Sequence, residues 1–225
     1  MVLPEKKQLA RAEIFIGSEC LVLFPGKYAW WEKEHILFIA DSHFGKIAHF
    51  RKSGIGLPSH AGTETFSLIH RILLEMNPNK LVFLGDVFHS DFNQDFERFK
   101  TWRALFPQME VDIVLGNHDK AGFAHLHSMG INLHNELVLG PFYCSHEPAF
   151  PSTRGFNLCG HLHPGVSLSI GHQHVKVPCF WKGEHHLCFP SFGAFTGSVA
   201  IKPRSSDVFY AISGSSIRRI EGSVL

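Results

Sequence analysis

The stretch Leu115-Gly116-Asn117-His118-Asp119 closes an apolar run, Val111 to Leu115, with a glycine and three polar residues of different chemical capacity. The amide oxygen of Asn117 is a neutral metal ligand, His118 can carry a proton near neutral pH, and Asp119 can orient that imidazole. Alone, Gly-Asn-His-Asp is also what a polar turn after a strand looks like. The rest of the chain decides, because the same pattern occurs four more times. Ile36-Leu37-Phe38-Ile39-Ala40 runs into Asp41-Ser42-His43, and Leu81 to Leu84 into Gly85-Asp86-Val87-Phe88-His89. Leu137 to Cys144 runs into Ser145-His146-Glu147, and Asn157-Leu158-Cys159 into Gly160-His161-Leu162-His163. Continuous apolar runs are expected of strands buried on both faces, and open α/β sheets carry their ligand sites at strand carboxyl ends. Five such strands bring Asp41/His43, Asp86 with His89, Asn117/His118, His146 and His161/His163 to one edge.

Length and composition bound this reading. A chain of 225 residues suits one domain, taken here as 1–225, with a sizeable core. With 21 basic and 20 acidic residues there is no global polyanion-seeking field, so any nucleic-acid surface must be local. Five cysteines without a Cys-x-x-Cys pair argue against a disulfide framework or a thiolate zinc site. Cys144, Cys159, Cys179 and Cys188 lie in apolar runs and read as reduced core residues. The N-terminus has no apolar signal core and no run approaches membrane-spanning length, so the expectation is a soluble protein of a reducing compartment, the cytoplasm.

Around the five strand ends the chain follows an α/β grammar. Arg11 to Phe24 reads as a hairpin broken at Gly17-Ser18-Glu19, with a further turn at Pro25-Gly26, and Tyr28-Ala29-Trp30-Trp31 as a third edge strand or an amphipathic segment. Phe44 to Pro58 is a glycine-punctuated basic loop. Apolar residues at Phe66, Ile69, Ile72, Leu73 and Met76 predict a helix over 59–76, stopped by Asn77-Pro78. A second helix is expected from about Asn93 to Phe106, with Phe96, Phe99, Arg103 and Phe106 on one face, and a short third over 121–128. Beyond Gly130 short strand candidates follow at 166–170, 174–181, 186–189 and 208–212, punctuated by Gly, Pro and Ser. Two packed sheets with helices outside are expected.

Two aspartates, one asparagine and several imidazoles without thiolate suit divalent Mn, Fe, Zn or Co. The set is too nitrogen-rich for calcium and too large for one tetrahedral zinc. Two ions sharing a bridging carboxylate fit the number of residues better. Such a pair, about 3.5–4 Å apart, can clamp a phosphate and lower the pKa of a bridging water.

In their order and spacing, Asp41-x-His43, Gly85-Asp86, Gly116-Asn117-His118-Asp119, His146 and Gly160-His161-x-His163 closely resemble the motifs of the calcineurin-like metallophosphoesterases. The resemblance implies a four-layer α/β/β/α sandwich of two mixed sheets flanked by helices. It implies that Asp41, His43, Asp86 and His163 hold one metal ion and that Asp86, Asn117, His146 and His161 hold the other, with Asp86 bridging. His118, steadied by Asp119, would be the catalytic imidazole that protonates the leaving oxygen after in-line attack by a metal-bridging hydroxide. Two departures stand out. Serine, Ser145, replaces the usual glycine before His146, and the only acidic residue soon after Gly85-Asp86-Val87 is Asp91, with His89 in that neighbourhood. The segments 40–58, 177–181 and 188–197 further resemble the bacterial ligase-associated metallophosphoesterases, which implies DNA as phosphodiester substrate, a role in DNA repair, and an ATP-dependent DNA ligase and a helicase as partners.

Other residues carry blander readings beside the functional ones. Lys46, Arg51 and Lys52 follow the first motif and are candidates for substrate phosphates, although a charged loop is by default a solvated face. His89 is either a donor behind the metal ligands or a surface residue. Phe180, Trp181, Phe189, Phe192 and Phe195 could stack on unpaired bases, but core packing is favoured. His60, His70, His125, His127, His134, His172 and His174 end no apolar strand and read as surface or satisfied core histidines. The expected function is a dinuclear-metal phosphodiesterase or nuclease. Alternatives are a small-molecule or nucleotide phosphodiesterase or phosphatase, and, in a different class, an inactive metal-binding scaffold in a ligase–helicase complex. The scaffold reading suffers from the presence of every expected ligand. A metal-storage role fails because the histidines sit at strand ends and not in tracts.

Overall fold

The computed structural model describes residues 11–46, 61–88, 94–117, 119, 123–149, 153–170, 173–193 and 196–224. The apolar runs become strands of two sheets. The first sheet has the order β1 (Ala12–Ile16), β2 (Glu19–Phe24), β3 (Tyr28–Trp31), β4 (Ile36–Ile39), β5 (Lys80–Leu84), β6 (Glu110–Val114) and β7 (Ile131–His134). Its first four strands form an antiparallel meander, and β4 to β7 are parallel. Parallel pairing aligns the carboxyl ends of β4, β5 and β6, which places Asp41, Asp86 and Asn117 along one edge.

The second sheet holds β8 (Leu137–Leu139), β9 (Phe142–Cys144), β10 (Phe156–Cys159), β11 (Pro164–Ile170), β12 (Gln173–Lys182), β13 (His186–Cys188), β14 (Val199–Ala200), β15 (Val208–Ser213) and β16 (Ser216–Glu221). Here β9, β10 and β13 are parallel neighbours and the remaining pairs are mixed. The long β12 pairs with β11 over residues 173–178 and with β15 over 179–182, so one strand serves two branches of the sheet.

The inner faces of the sheets meet in an aromatic-rich core that includes Trp31, Phe38, Val82, Leu84, Phe142, Leu158, Phe180 and Phe189. The opposite face of the first sheet carries the helices α1 (Ala61–Met76), α2 (Gln94–Arg103) and α3 (Phe123–Ser128). In α1, Ile69, Ile72 and Leu73 are buried at the i, i+3, i+4 spacing, each worth about 1.5–3 kcal/mol of transfer, while Leu74 on the other side is 65% exposed. Asn77, at φ 45°, ends this helix by donating its N–H to Leu73 O at 2.9 Å, and Pro78 prevents continuation. In α2, Phe96, Phe99 and Trp102 take the core positions. Arg103, on the same face as expected, is buried and donates to the carbonyls of Phe106 and Met109 just past the helix.

The expected sandwich of two mixed sheets is thus present. Among the described residues the helices cover only the first sheet. The outer face of the second carries a small cluster of Val166, Cys179, Phe209 and Ala211. Three strands were not expected from the sequence, namely β7, β14 and β16. The single strand expected over 137–144 is two, split at Gly140-Pro141. Among the described residues no helix is long and apolar enough to cross a membrane.

Candidate metal centre

The strand-end loops are tied to one another by backbone hydrogen bonds. Asp41 N donates to Gly85 O at 3.1 Å, His43 N to Asp86 O at 3.0 Å, and Gly160 N to His146 O at 3.0 Å. The segment after β13 then crosses between the sheets. Gly193 N and Ser191 Oγ both donate to Asp41 O, at 3.1 and 2.8 Å, and Phe192 N donates to Ala40 O at 2.9 Å.

Within this frame Asp41, His43 and His163 converge, as do Asp41, Asp86 and His146, each set with ligand atoms within 4.8 Å of one another. His163 Nε2 lies 3.3 Å from Asp41 Oδ1 and 3.4 Å from His43 Nε2. His146 Nε2 lies 3.5 Å from Asp86 Oδ2 and 3.2 Å from His161 Nδ1. Asp41, His43, Asp86 and His146 are buried, and His161 and His163 are half-buried. Two facing pairs of imidazole nitrogens beside two buried carboxylates make a donor set that a divalent cation fits, because one ion can meet several lone pairs at once. The residue common to both triads is Asp41, whereas the motif resemblance assigns the shared carboxylate to Asp86.

The backbone is strained at these positions. Asp41, His43, Asp86, His161 and His163 all have positive φ, between 46° and 67°. Such conformations cost of order 1–3 kcal/mol each and persist where surrounding contacts fix them, as the loop-to-loop bonds do here. Two glycines show why small residues precede the candidate ligands Asn117 and His161. A Cβ on Gly116 would lie 2.3 Å from Asp86 Oδ1, and one on Gly160 would lie 2.5 Å from Asp41 Oδ2.

Electrostatics follow the same geometry. Burial pulls the His146 pKa down, but the Asp86 hydrogen bond and the charges of Asp41 and Asp86 outweigh it and raise it to about 9. Burial likewise lowers the pKa of Lys46, against the opposing pull of the Asp41 and Asp86 charges; its Nζ donates to Thr196 Oγ1 at 3.3 Å. The thiols of Cys144, Cys179 and Cys188 are pushed up by burial and do not compete as thiolate ligands.

Asp119 is buried and acts as a clasp. Its Oδ1 accepts the N–H groups of Val87 and Phe88, at 2.9 and 3.2 Å, and its Oδ2 accepts that of Gly116 at 3.0 Å. It therefore holds the loops after β5 and β6 together, and burial raises its pKa. Asn117 is exposed, with its amide nitrogen on Glu147 Oε1 at 3.0 Å. His118, His89, Arg51 and Lys52 lie outside the described residues, as do His60, His172 and Phe195. Phe180, Phe189 and Phe192 are buried in the core, and Trp181 packs against the outer cluster of the second sheet. His134 is satisfied by Asp112 at 2.8 Å. Sequence reasoning missed Ser191, Gly193 and Glu147. Ser191 and Gly193 act through contacts 150 or so residues away in the chain, which no local pattern signals.

Two mixed sheets joined over an aromatic core, with an Asp/His cluster at their aligned strand ends, constitute the calcineurin-like metallophosphoesterase fold. The structure superposes on the crystal structure of Pseudomonas putida nuclease MPE with a TM-score of 0.79 and 28% identity, over 93% of this chain and 100% of that one. Weaker similarity extends to a protein of unknown function, AQ665, from Aquifex aeolicus (TM-score 0.38, 19% identity, 57% of this chain and 77% of that one). It extends also to a predicted phosphoesterase from Streptococcus pneumoniae TIGR4 (TM-score 0.36, 13% identity, 83% and 96%). No family profile and no curated protein sequence matches the chain.

Proposed function

We propose that this chain is a divalent-metal-dependent phosphodiesterase acting on nucleic acid, with DNA as its substrate. The observation that carries the reading is the convergence of Asp41, His43, Asp86, His146 and His163 from separate strand ends, on a scaffold that matches a nuclease over nearly its whole length. Asp41, His43, Asp86 and His163 would hold one ion, and Asp86, Asn117, His146 and His161 a second. When bound, two such ions, manganese first, would neutralise phosphate oxygens and supply a nucleophilic water.

The chain's own residues do the rest. His118 protonates the departing oxygen, the role the motif resemblance gives it. Asp119 acts through the loops it clasps, keeping Gly116 and Val87 in register so that the residues beside them keep their places. Lys46, which donates to Thr196 and feels the charges of Asp41 and Asp86, would meet a phosphate oxygen, and Arg51, Lys52 and His89 would extend that contact along a strand. DNA repair beside an ATP-dependent ligase and a helicase is the setting implied by the sequence resemblance.

A substrate panel with Mn tests the reading: single-stranded and duplex DNA, cyclic nucleotides, a bis-aryl phosphodiester and an aryl monoester. Cleavage of DNA and of the bis-aryl diester, with little on the monoester, is expected. Replacing Arg51 and Lys52 by alanine should weaken DNA cleavage, flatten its salt dependence and spare the bis-aryl diester. Activity confined to small esters would make the chain a small-molecule phosphodiesterase or phosphatase, and absence of any hydrolysis would favour a scaffold.

A further inference from the structure

Asn117 leaves the end of β6 beside Asp86, since Gly116 packs directly on the Asp86 carboxylate. A primary amide has two nearly isosteric ends, and only its oxygen binds a cation. Left to itself, such a side chain can turn its NH2 group toward the metal at little cost, and that orientation repels the ion. Asn117 is not left to itself, because Glu147 Oε1 sits 3.0 Å from its nitrogen. A carboxylate only accepts, so the NH2 end must face Glu147 and the oxygen is turned the other way.

Glu147 is itself fixed by a built turn. Ser145 Oγ donates to Glu147 O at 2.6 Å, and Asn157 Nδ2 donates to Ser145 Oγ at 2.8 Å and to Tyr143 O at 3.0 Å. Asn157 is fully buried, and its Oδ1 accepts the N–H of Ala149 at 3.0 Å, closing the turn on its far side. The serine that replaces the usual glycine before His146 thus supplies the hydroxyl that anchors Glu147.

We propose that Glu147 is a positioning residue: it selects the orientation of Asn117 that presents Oδ1 to a divalent cation and so sets the affinity of the Asn117/His146/His161 half of the centre. The proposal rests on the reading of Asn117 as a ligand. Full-length protein stripped with EDTA is titrated calorimetrically with Mn as wild type, Glu147→Ala, Glu147→Gln and Asn117→Ala. Glu147→Ala should weaken one of the two binding steps by about 10–100-fold, the usual worth of a group that orients a metal ligand, and leave the other step unchanged. Glu147→Gln keeps an oxygen acceptor at the same place and should recover most of that loss, which a purely electrostatic role would not allow. Thermal stability in EDTA should be unchanged in both, because Glu147 is exposed. Wild-type binding by Glu147→Ala beside a weakened Asn117→Ala overturns the proposal alone, as does a Gln variant no better than Ala. Wild-type binding by Asn117→Ala overturns the ligand reading, and the proposal with it.

Discussion

Replacing Gly116 by alanine should damage the metal centre from outside the ligand set. Its added Cβ would stand 2.3 Å from Asp86 Oδ1 and 2.4 Å from the Asp86 backbone nitrogen, whereas ordinary contact begins at 3.4 Å. One of the two loops must therefore give by about 1 Å, the difference between those distances. The Asp86 carboxylate could rotate away, but its backbone nitrogen cannot, because His43 N is bonded to Asp86 O and Asp119 grips Gly116 N and Val87 N together. Overpacking of this kind costs about 1–3 kcal/mol, and for a chain of this size each kcal/mol lowers Tm by about 2–4 °C. A loss of roughly 2–12 °C in EDTA is expected by that arithmetic, together with about 10–100-fold weaker Mn binding, since Asp86 is moved from its place. Differential scanning calorimetry and isothermal titration read the two effects. Gly197→Ala is the matched control, because nothing lies within 4 Å of a Cβ there. Wild-type Mn affinity in Gly116→Ala, with stability also unchanged, would refute the packing of Asp86 on Gly116 as the reason for the glycine.

Three further outcomes are expected. His118→Asn should keep its metal and lose roughly 10²–10⁴-fold in turnover, less on esters with good leaving groups, as befits a proton donor; elemental analysis showing lost metal would reassign it as a ligand. His146→Asn should instead lose metal, with activity partly restored by excess Mn, and full occupancy would remove it from the ligand set. In metal-free protein His146 has its pKa raised to about 9, so its charged form stabilises the fold. That contribution is complete below the unfolded value near 6.5 and disappears as pH rises through about 9. Urea midpoints of EDTA-treated protein should therefore fall between those limits, and apparent Mn affinity should rise across the same window as the ring loses its proton. A flat urea profile would contradict the carboxylate contacts of His146.

Much of the candidate site is legible in sequence because its residues follow closely on the ends of buried, largely apolar strands. Val82 and Leu84 point to the sheet–sheet core and Leu81 and Phe83 to the helices, so the run ending at Leu84 marks a buried central strand and Asp86 its end. The edges are not legible in this way. β16 carries Arg218-Arg219 between Ile217 and Ile220, which breaks the two-residue alternation, and β14 is only two residues long. Asp119 was readable as a polar partner, but its role as a clasp on Val87 and Phe88 depends on hydrogen bonds across 31 and 32 residues. Glu147 was hidden for a similar reason. It is an exposed acid in a turn until Asn117, 30 residues earlier, is brought beside it.

The most direct test of metal-dependent phosphodiester hydrolysis at this cluster measures metal content and DNA cleavage on the same preparations of wild type and Asp86→Ala. Wild type loaded with Mn should hold two ions per chain and cleave single-stranded DNA, lose both properties in EDTA and regain them with Mn. Asp86→Ala should hold neither ion firmly and stay inactive at every Mn concentration. Cleavage that survives EDTA, or an Asp86→Ala protein that cleaves like wild type, would contradict the account.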